Sequence, residues 1–183
     1  MRNLSHFDAL RPSSWVQRFA GLIRDGGEVL DMACGTGRHA RLLAGLGFRV
    51  EAVDRDAEAL AALAGIAKVS TRQADLEGGP WPYARRGFDG IVVAHYLHRP
   101  LFPLIIDALG EGGVLIYETF MLGNERFGRP SNPDFLLRPN ELFEAFGTRL
   151  QIVAFEQGEV AQPKPAVMQR LCAVRGEGPF RLV

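Results

Sequence analysis

Short apolar runs alternate along the chain with segments in which apolar residues recur at helical spacing. Trp15, Val16 and Phe19 open such a segment behind a pair of serines, which predicts a helix over residues 13–24 with a serine N-cap. The same spacing predicts further helices over residues 38–46, 57–66, 101–109 and 139–146. The apolar runs predict strands over residues 28–33, 48–53, 68–71, 88–94 and 113–120. This alternation is typical of βαβ units, in which helices cover both faces of a parallel sheet.

The pattern changes after residue 120. Residues 122–138 are rich in proline, glycine and asparagine and lack periodicity, so we predict a substrate-binding loop or lid over residues 121–138. Two β-rich runs, over residues 149–155 and 168–174, predict an antiparallel hairpin. The predicted fold is therefore α/β, with three layers and a seven-stranded, mainly parallel sheet that ends in this hairpin. A single domain is predicted over residues 1–183, with an N-terminal helix region over residues 1–26.

Composition narrows the function classes. The chain has 183 residues of which 47% are hydrophobic, enough to bury a full core, which excludes a disordered protein. Its 21 basic and 21 acidic residues balance, which disfavours a general nucleic-acid coat or membrane-surface protein. No apolar run resembles a signal peptide or reaches the ~18 residues of a membrane span. Cys34 and Cys172 are too few for a disulfide framework, so we expect a cytoplasmic protein without a metal site.

A glycine-containing turn joins the first predicted strand to the next helix. Gly35 and Gly37 allow the backbone there to turn tightly and to approach a ligand that a Cβ would block. The helix that follows directs its free N–H groups and the positive end of its dipole into the same space. A ligand carboxylate, phosphate or ribose suits this turn, although a glycine pair alone is equally typical of a plain tight turn.

Two carboxylates follow the next two strands. Asp54 comes directly after the second strand, where it can accept hydrogen bonds from both hydroxyls of a ribose. The alternative is that Asp54 caps its own turn. Asp75 follows the third strand and reaches the same edge of the sheet, although a solvated turn aspartate explains it equally well. Together with the glycine turn, these positions favour a cofactor that contains a nucleoside.

The chain carries the following residues in order: Asp31, Ala33-Cys34-Gly35-Thr36-Gly37, Asp54, Ala74-Asp75-Leu76 and the strand over residues 88–94. This series resembles that of class I S-adenosylmethionine-dependent methyltransferases. The resemblance covers residues 15–120 well and is closest to small single-domain bacterial enzymes related to the tellurite-resistance methyltransferases. The closing hairpin matches the usual ending of that fold.

The resemblance implies S-adenosylmethionine as the cofactor and a place for each motif residue. Asp31 would receive the ammonium of the methionine part, and Asp54 would hold the ribose hydroxyls. The other contacts that the resemblance implies are the methionine part at Ala33, Cys34, Gly35 and Gly37, the adenine at Arg55, Asp75 and Leu76, and the space below the sulfonium at Ala94 and His95.

Two other interpretations stay open. The glycine turn followed by Asp54 also satisfies the dinucleotide-binding pattern of NAD(P)-dependent oxidoreductases. Against it, Asp31 would lie unpaired beside a pyrophosphate, and the chain has no Tyr-x-x-x-Lys pair. The second alternative is a binding module that holds S-adenosylmethionine without catalysing a reaction.

The acceptor of the methyl group is not identified by any motif, and neither is the oligomeric state. His95 is the candidate general base, or else a neutral histidine that shapes the pocket. A small molecule is the favoured acceptor, because no inserted recognition domain is present. The candidate acceptor contacts are Tyr117, Glu118, Phe127 and Arg129. An RNA acceptor is the alternative, with Arg85, Arg86, Arg126, Arg129 and Arg138 as phosphate contacts.

Overall fold

A computed structural model describes residues 11–84 and 86–178 and contains a seven-stranded sheet with five α-helices. Arg85 and residues 1–10 of the predicted N-terminal region therefore lie outside the described residues. The helices are α1 (Ser14–Phe19), α2 (Arg38–Gly45), α3 (Ala57–Ala61), α4 (Phe102–Ala108) and α5 (Glu141–Phe146). The strands are β1 (Glu28–Met32), β2 (Arg49–Asp54), β3 (Val69–Gln73), β4 (Phe88–Ala94), β5 (Leu109–Phe120), β6 (Gln151–Val160) and β7 (Ala166–Val174).

The strand order is β3-β2-β1-β4-β5-β7-β6. Strands β1 to β5 pair in parallel, whereas β7 runs antiparallel between β5 and β6. The predicted seven-stranded, mainly parallel sheet with a closing hairpin is therefore confirmed. Because the order reverses between β1 and β4, a crevice opens at the carboxyl ends of these two strands, where open α/β sheets bind ligands.

Side chains alternate between the two faces of the sheet and pack into two hydrophobic clusters, one on each face. On β4, Val92 packs with Trp15, Val16 and Phe19 of α1 in one cluster. Its neighbour Val93 packs with the side chains of α4 and α5 in the other. This alternation has the period of two residues that a strand imposes, and it produces the predicted three layers.

The N-terminal segment is fastened to both the sheet and α2. The Ser13 hydroxyl accepts hydrogen bonds from the backbone N–H groups of Trp15 and Val16, which confirms the serine cap. The Ser13 backbone N–H donates to Nε2 of His39 at 3.1 Å. The indole N–H of Trp15 donates to the Leu171 carbonyl oxygen at 3.2 Å. These contacts hold the segment above the carboxyl edge of the sheet, beside the turn that precedes α2.

Some element bounds differ from the predictions. The first helix is α-helical only over Ser14–Phe19 and continues as a 3-10 turn over Ala20–Leu22. Helix α3 ends at Ala61, because the following residues bond three positions back, as Leu63 does to Leu60. Strand β5 begins at Leu109 instead of residue 113, because Leu109 already pairs with Phe88. None of the helices in the described ranges is long and apolar enough to cross a membrane.

Candidate active site

The turn between β1 and α2 contains three left-handed residues. Ala33, Gly35 and Gly37 have φ angles of 50°, 54° and 76°. A Cβ on Gly35 would meet no atom of residues 11–84 and 86–178 within 4 Å, so no described residue fills the space beside this part of the turn. A Cβ on Gly37 would come within 2.3 Å of the Leu63 side chain. The two glycines therefore serve different purposes: Gly35 leaves room for a ligand, and Gly37 allows α2 to pack.

Asp54 fixes this turn from the end of β2. Its carboxylate accepts hydrogen bonds from the Gly35 N–H at 2.8 Å and from the Asp56 N–H at 2.9 Å. The Cys34 N–H also donates to the Val53 carbonyl oxygen at 3.0 Å, which ties the turn to β2 a second time. Asp54 thus caps its own turn and also faces a cavity. The turn role is therefore compatible with the predicted role as an acceptor for ribose hydroxyls.

The first cavity lies beside this turn and has a volume of about 190 Å³. The predicted cofactor residues Ala33, Asp54, Arg55, Asp75 and Leu76 line it, as do Ala74, Glu77 and Tyr96. Glu77 and Tyr96 were absent from the predicted contacts. The position of Tyr96, directly after a strand that ends at the same edge, is the signal that could have found it.

Asp75 uses one of its carboxylate oxygens within its own turn. Its Oδ1 accepts a hydrogen bond from the Glu77 N–H at 3.0 Å. Hydrogen bonds from the N–H groups of Glu77 and Gly78 lower the pKa of Asp75, so this exposed carboxyl is ionised at neutral pH. Asp75 therefore presents an acceptor to the cavity.

Asp31, on β1, is a buried carboxyl group near the carboxyl edge of the sheet. The residue is 1% exposed, and its Oδ2 has no hydrogen-bond partner among the described residues. Burial raises the pKa of Asp31 to about 7, although the Ala40 N–H and the positive charge of Arg38 oppose the rise. A buried carboxylate with an unused oxygen is costly unless a donor or a cation satisfies it. An ammonium group has that chemistry.

Cys34 and Ala94 complete the predicted cofactor contacts. Cys34 is 8% exposed, and its thiol donates to the Gly35 carbonyl oxygen at 3.4 Å. Burial raises the pKa of this thiol, so it stays protonated and unreactive. Ala94 ends β4 next to Glu118 of β5, half-buried and directly before His95.

His95 has a left-handed backbone with a φ of 58°, which is uncommon for a residue with a side chain. Arg38 places a guanidinium nitrogen 3.2 Å from its Nδ1. Because a guanidinium only donates, Nδ1 accepts, and the single proton of the neutral ring is on Nε2. Loss of surrounding water, followed by the charges of Arg38, Lys164 and Arg170, lowers the pKa of His95 to about 4. The imidazole is therefore neutral at pH 7.

A second cavity, of about 270 Å³, is lined by His95, whose neighbour Tyr96 lines the first cavity. Glu118 lies on its floor and is paired with Arg170 at 3.3 Å. Further lining residues come from the N-terminal segment, from Arg38 at the start of α2, and from the β6–β7 hairpin, which includes Lys164 in its turn. Glu118 was predicted here from the sequence, which did not indicate the four cationic residues Arg11, Arg38, Lys164 and Arg170. The opposed charges of Glu118 and Arg170 on antiparallel strands become visible only when the pairing of β5 and β7 is known.

The other predicted acceptor contacts line neither cavity. Tyr117 is 1% exposed and donates its hydroxyl to the Tyr96 carbonyl oxygen at 3.0 Å. Neighbouring residues of a strand point to opposite faces, so Tyr117 and Glu118 cannot share one pocket. Phe127 and Arg129 are exposed in the loop after β5. No residue between 122 and 138 is among those that line the described part of the second cavity.

Comparison with known proteins identifies the family. Residues 4–137, more than half of the chain, match the family model of a methyltransferase domain. A protein-L-isoaspartate O-methyltransferase of Chlorobaculum tepidum is 35% identical over 55% of this chain. The match spans 48% of that relative, so the chain covers about half of its length.

Two solved structures with low sequence identity share the fold. TehB from Haemophilus influenzae superposes with a TM-score of 0.74 at 20% identity, over 91% of this chain and 63% of TehB. A TehB-like S-adenosylmethionine-dependent methyltransferase from Corynebacterium glutamicum superposes with a TM-score of 0.65 at 19% identity, over 88% of this chain and 86% of that one. The chain therefore belongs to the methyltransferase-domain family and has the fold of class I S-adenosylmethionine-dependent methyltransferases.

Proposed function

We propose that the protein transfers the methyl group of S-adenosylmethionine to a small-molecule acceptor, acting as a single domain. The observation that carries this proposal is the Oδ2 of buried Asp31, which has no partner within the part of the chain that the structure describes and lies on β1, the strand that leads into the turn at Gly35. The ammonium of the methionine part would satisfy that oxygen, whereas the pyrophosphate of a dinucleotide would repel it. Family membership supports the same cofactor.

The residues of the first cavity fit the nucleoside part. A carboxylate has about four lone-pair positions, and two of those of Asp54 are used by the Gly35 and Asp56 N–H groups. The remaining positions would accept from the ribose hydroxyls. Asp75 and Leu76 would contact the adenine, with Arg55 beside it. When bound, S-adenosylmethionine supplies the activated methyl group.

His95 has the properties of a hydrogen-bond donor in this site. A general base needs a free lone pair, and the Nδ1 lone pair of His95 is directed at Arg38. Its Nε2 carries the proton and is able to donate to an oxygen of the acceptor. We therefore assign His95 the positioning of the acceptor, which contributes to rate by alignment.

The shape of the second cavity supports a small acceptor over RNA. A volume of about 270 Å³ accommodates a compact molecule. The described arginines of the RNA alternative are mostly engaged in ion pairs: Arg86 with Glu28 and Glu51, Arg126 with Glu159, and Arg138 with Glu141. Arg85 lies outside the described residues.

We also retain residues 121–138 as a proposed lid. The ends of this segment are fixed, since Asn124 accepts from the Val167 N–H and buried Leu137 pairs with Met121. Its middle is exposed, including Phe127 at 43%. Such a segment can move without unfolding the sheet. Hydrogen exchange of residues 125–135 should slow when S-adenosylhomocysteine and acceptor bind, and unchanged exchange would refute the lid.

Buried, unpaired Cys34 and Cys172 suit a reducing compartment, and we propose the cytoplasm.

The proposed function is tested by incubating the protein with a metabolite extract and with cofactor that carries a labelled methyl group. Labelled products are then identified by mass spectrometry. A labelled small molecule is expected. Calorimetric titration with S-adenosylhomocysteine and NADH accompanies this assay. Tight binding of NADH alone would overturn the proposal, and S-adenosylhomocysteine binding without any labelled product would favour the non-catalytic module.

A further inference from the structure

The second cavity is lined by side chains of two chemical kinds. We call the four basic residues of the described lining the basic wall: Arg11, Arg38, Lys164 and Arg170. We call the four apolar residues the apolar wall: Phe120, Val160, Ala166 and Met168. The two sets are adjacent, because the pair Phe120–Met168 follows the pair Glu118–Arg170 on the same face of β5 and β7. The His95 ring lies 4.9 Å from the Phe120 ring between centroids. A ligand of this cavity therefore needs a polar end and an apolar end.

The described acidic groups balance only part of the charge of the basic wall. Arg170 pairs with Glu118 at 3.3 Å and with Glu156 at 3.7 Å, and the charges of Glu118 and Asp31 also act on Arg38. Neither Arg11 nor Lys164 has an acidic partner within 4 Å among the described residues. The excess positive charge is felt locally, because Arg38, Lys164 and Arg170 all contribute to the lowered pKa of His95. Partly enclosed like charges are unfavourable until an anion enters between them.

The hydrogen-bonding groups at this wall are donors. Guanidinium and ammonium groups donate only, and the Arg38 contact leaves His95 with a donating Nε2–H. Such a set matches the oxygens of a carboxylate, phosphate or sulfate. It does not match an ammonium group, for which the described lining offers one carboxylate, Glu118, already paired with Arg170.

We propose that the second cavity binds a small organic anion, with its acid group against the basic wall and its apolar body against Phe120 and Met168. This inference rests on the proposed function, because it names the acceptor class of the same site. Arg38 is close enough to the turn at Gly37 to serve the carboxylate of the cofactor as well. Lys164 is therefore the sharper probe, since it belongs to the β6–β7 turn and lines only the second cavity.

Three probes with the same ring and different charge test the proposal: benzoate, benzamide and benzylamine. Their binding is measured by ligand-observed NMR titration, with and without S-adenosylhomocysteine, and inorganic phosphate serves as an anion without an apolar body. Benzoate is expected to bind at least about threefold more tightly than each of the other three, as a partly exposed ion pair would provide. Equal binding of benzamide, stronger binding of benzylamine, or no binding of benzoate would overturn the proposal. Phosphate binding as tightly as benzoate would overturn the role of the apolar wall.

Substitutions separate this inference from the proposed function. Lys164→Gln should weaken benzoate binding at least about threefold and leave benzamide and S-adenosylhomocysteine binding unchanged. Lys164→Arg should restore benzoate binding. Lys68→Gln removes the chain's other lysine, outside this cavity, and should have no effect. Loss of benzoate binding in Lys68→Gln, or its retention in Lys164→Gln, would refute the site. Failure of wild-type protein to bind S-adenosylhomocysteine would refute the proposed function and leave the charge ranking of the probes as a separate result.

Discussion

The substitution Asp54→Ala separates ligand binding from turn stability. In the folded chain Asp54 accepts one hydrogen bond from Gly35 at 2.8 Å and one from Asp56 at 2.9 Å, and it has room for two more. Charge-assisted hydrogen bonds to the ribose contribute ~1.5–3 kcal/mol each. Because ~1.4 kcal/mol corresponds to one decade of affinity, Asp54→Ala should weaken S-adenosylhomocysteine binding at least about tenfold.

The same substitution also leaves the half-buried N–H of Gly35 without its partner, at a cost of ~1–2 kcal/mol of stability. The matched control is Asp56→Ala, which removes the N-cap of α3 and costs ~1 kcal/mol. For a chain of this length, each kcal/mol lowers the melting temperature by roughly 2–4 °C. Both variants should therefore melt a few degrees lower, and only Asp54→Ala should lose affinity.

Calorimetric titration with S-adenosylhomocysteine and thermal unfolding without ligand are the two assays. Asp54→Asn should give an intermediate affinity, because its amide oxygen still accepts but its charge is gone. Equal affinity loss in Asp54→Ala and Asp56→Ala would mean that binding follows turn stability. Unchanged affinity in Asp54→Ala would refute the ribose assignment outright.

Three further predictions concern the same edge of the sheet. Because burial raises the pKa of Asp31 to about 7, the folded state holds a proton between about pH 4 and pH 7 that the unfolded chain releases. The free energy of unfolding without ligand should therefore fall as the pH rises through this window. Denaturant titrations should show a smaller fall for Asp31→Asn, and an equal fall in the two proteins would contradict this assignment. Gly35→Ala should abolish most S-adenosylhomocysteine binding at a stability cost of ~1–2 kcal/mol from its positive φ. Gly37→Ala should unfold at a clearly lower denaturant concentration than Gly35→Ala, because its Cβ collides with Leu63. A larger loss of binding in Gly37→Ala and a larger loss of stability in Gly35→Ala would refute these two roles. Arg99→Gln should raise the hydrogen-exchange rate throughout the loop after β5, since Arg99 donates to two carbonyl oxygens of that loop. An unchanged exchange rate would show that other contacts hold the loop.

Much of the cofactor side of the site could be predicted from the sequence. The turn at Gly35 and the carboxylates Asp54 and Asp75 each follow a strand, and parallel strands bring their carboxyl ends to one edge. These signals are local, because apolar spacing, glycine and strand ends are properties of neighbouring residues. For the same reason the strands and helices were predicted, and the strand over residues 88–94 has the predicted bounds. Other bounds were not predicted: Leu109 joins β5 through its pairing with Phe88, a partner distant in the sequence.

The acceptor side was decided by tertiary structure. Arg38 and His95 are separated by 57 positions, and their contact determines which imidazole nitrogen carries the proton. Arg170 reaches Glu118 because β7 pairs antiparallel with β5, a register that no local pattern encodes. The sequence grouped Tyr117 with Glu118 by position, and the strand's alternation turned them to opposite faces.

The sequence by itself determined the architecture and the sheet edge at which we propose that a nucleoside cofactor binds, because both follow from local periodicity and from the geometry common to parallel sheets. Only the tertiary structure decided the charge states and the second cavity. The pKa of Asp31 is raised because the folded chain excludes water around it, and the basic wall exists because Lys164 and Arg170 fold back from the closing hairpin to face Arg38. Desolvation and long-range charge depend on distances in space, and one chain's order of residues does not contain them.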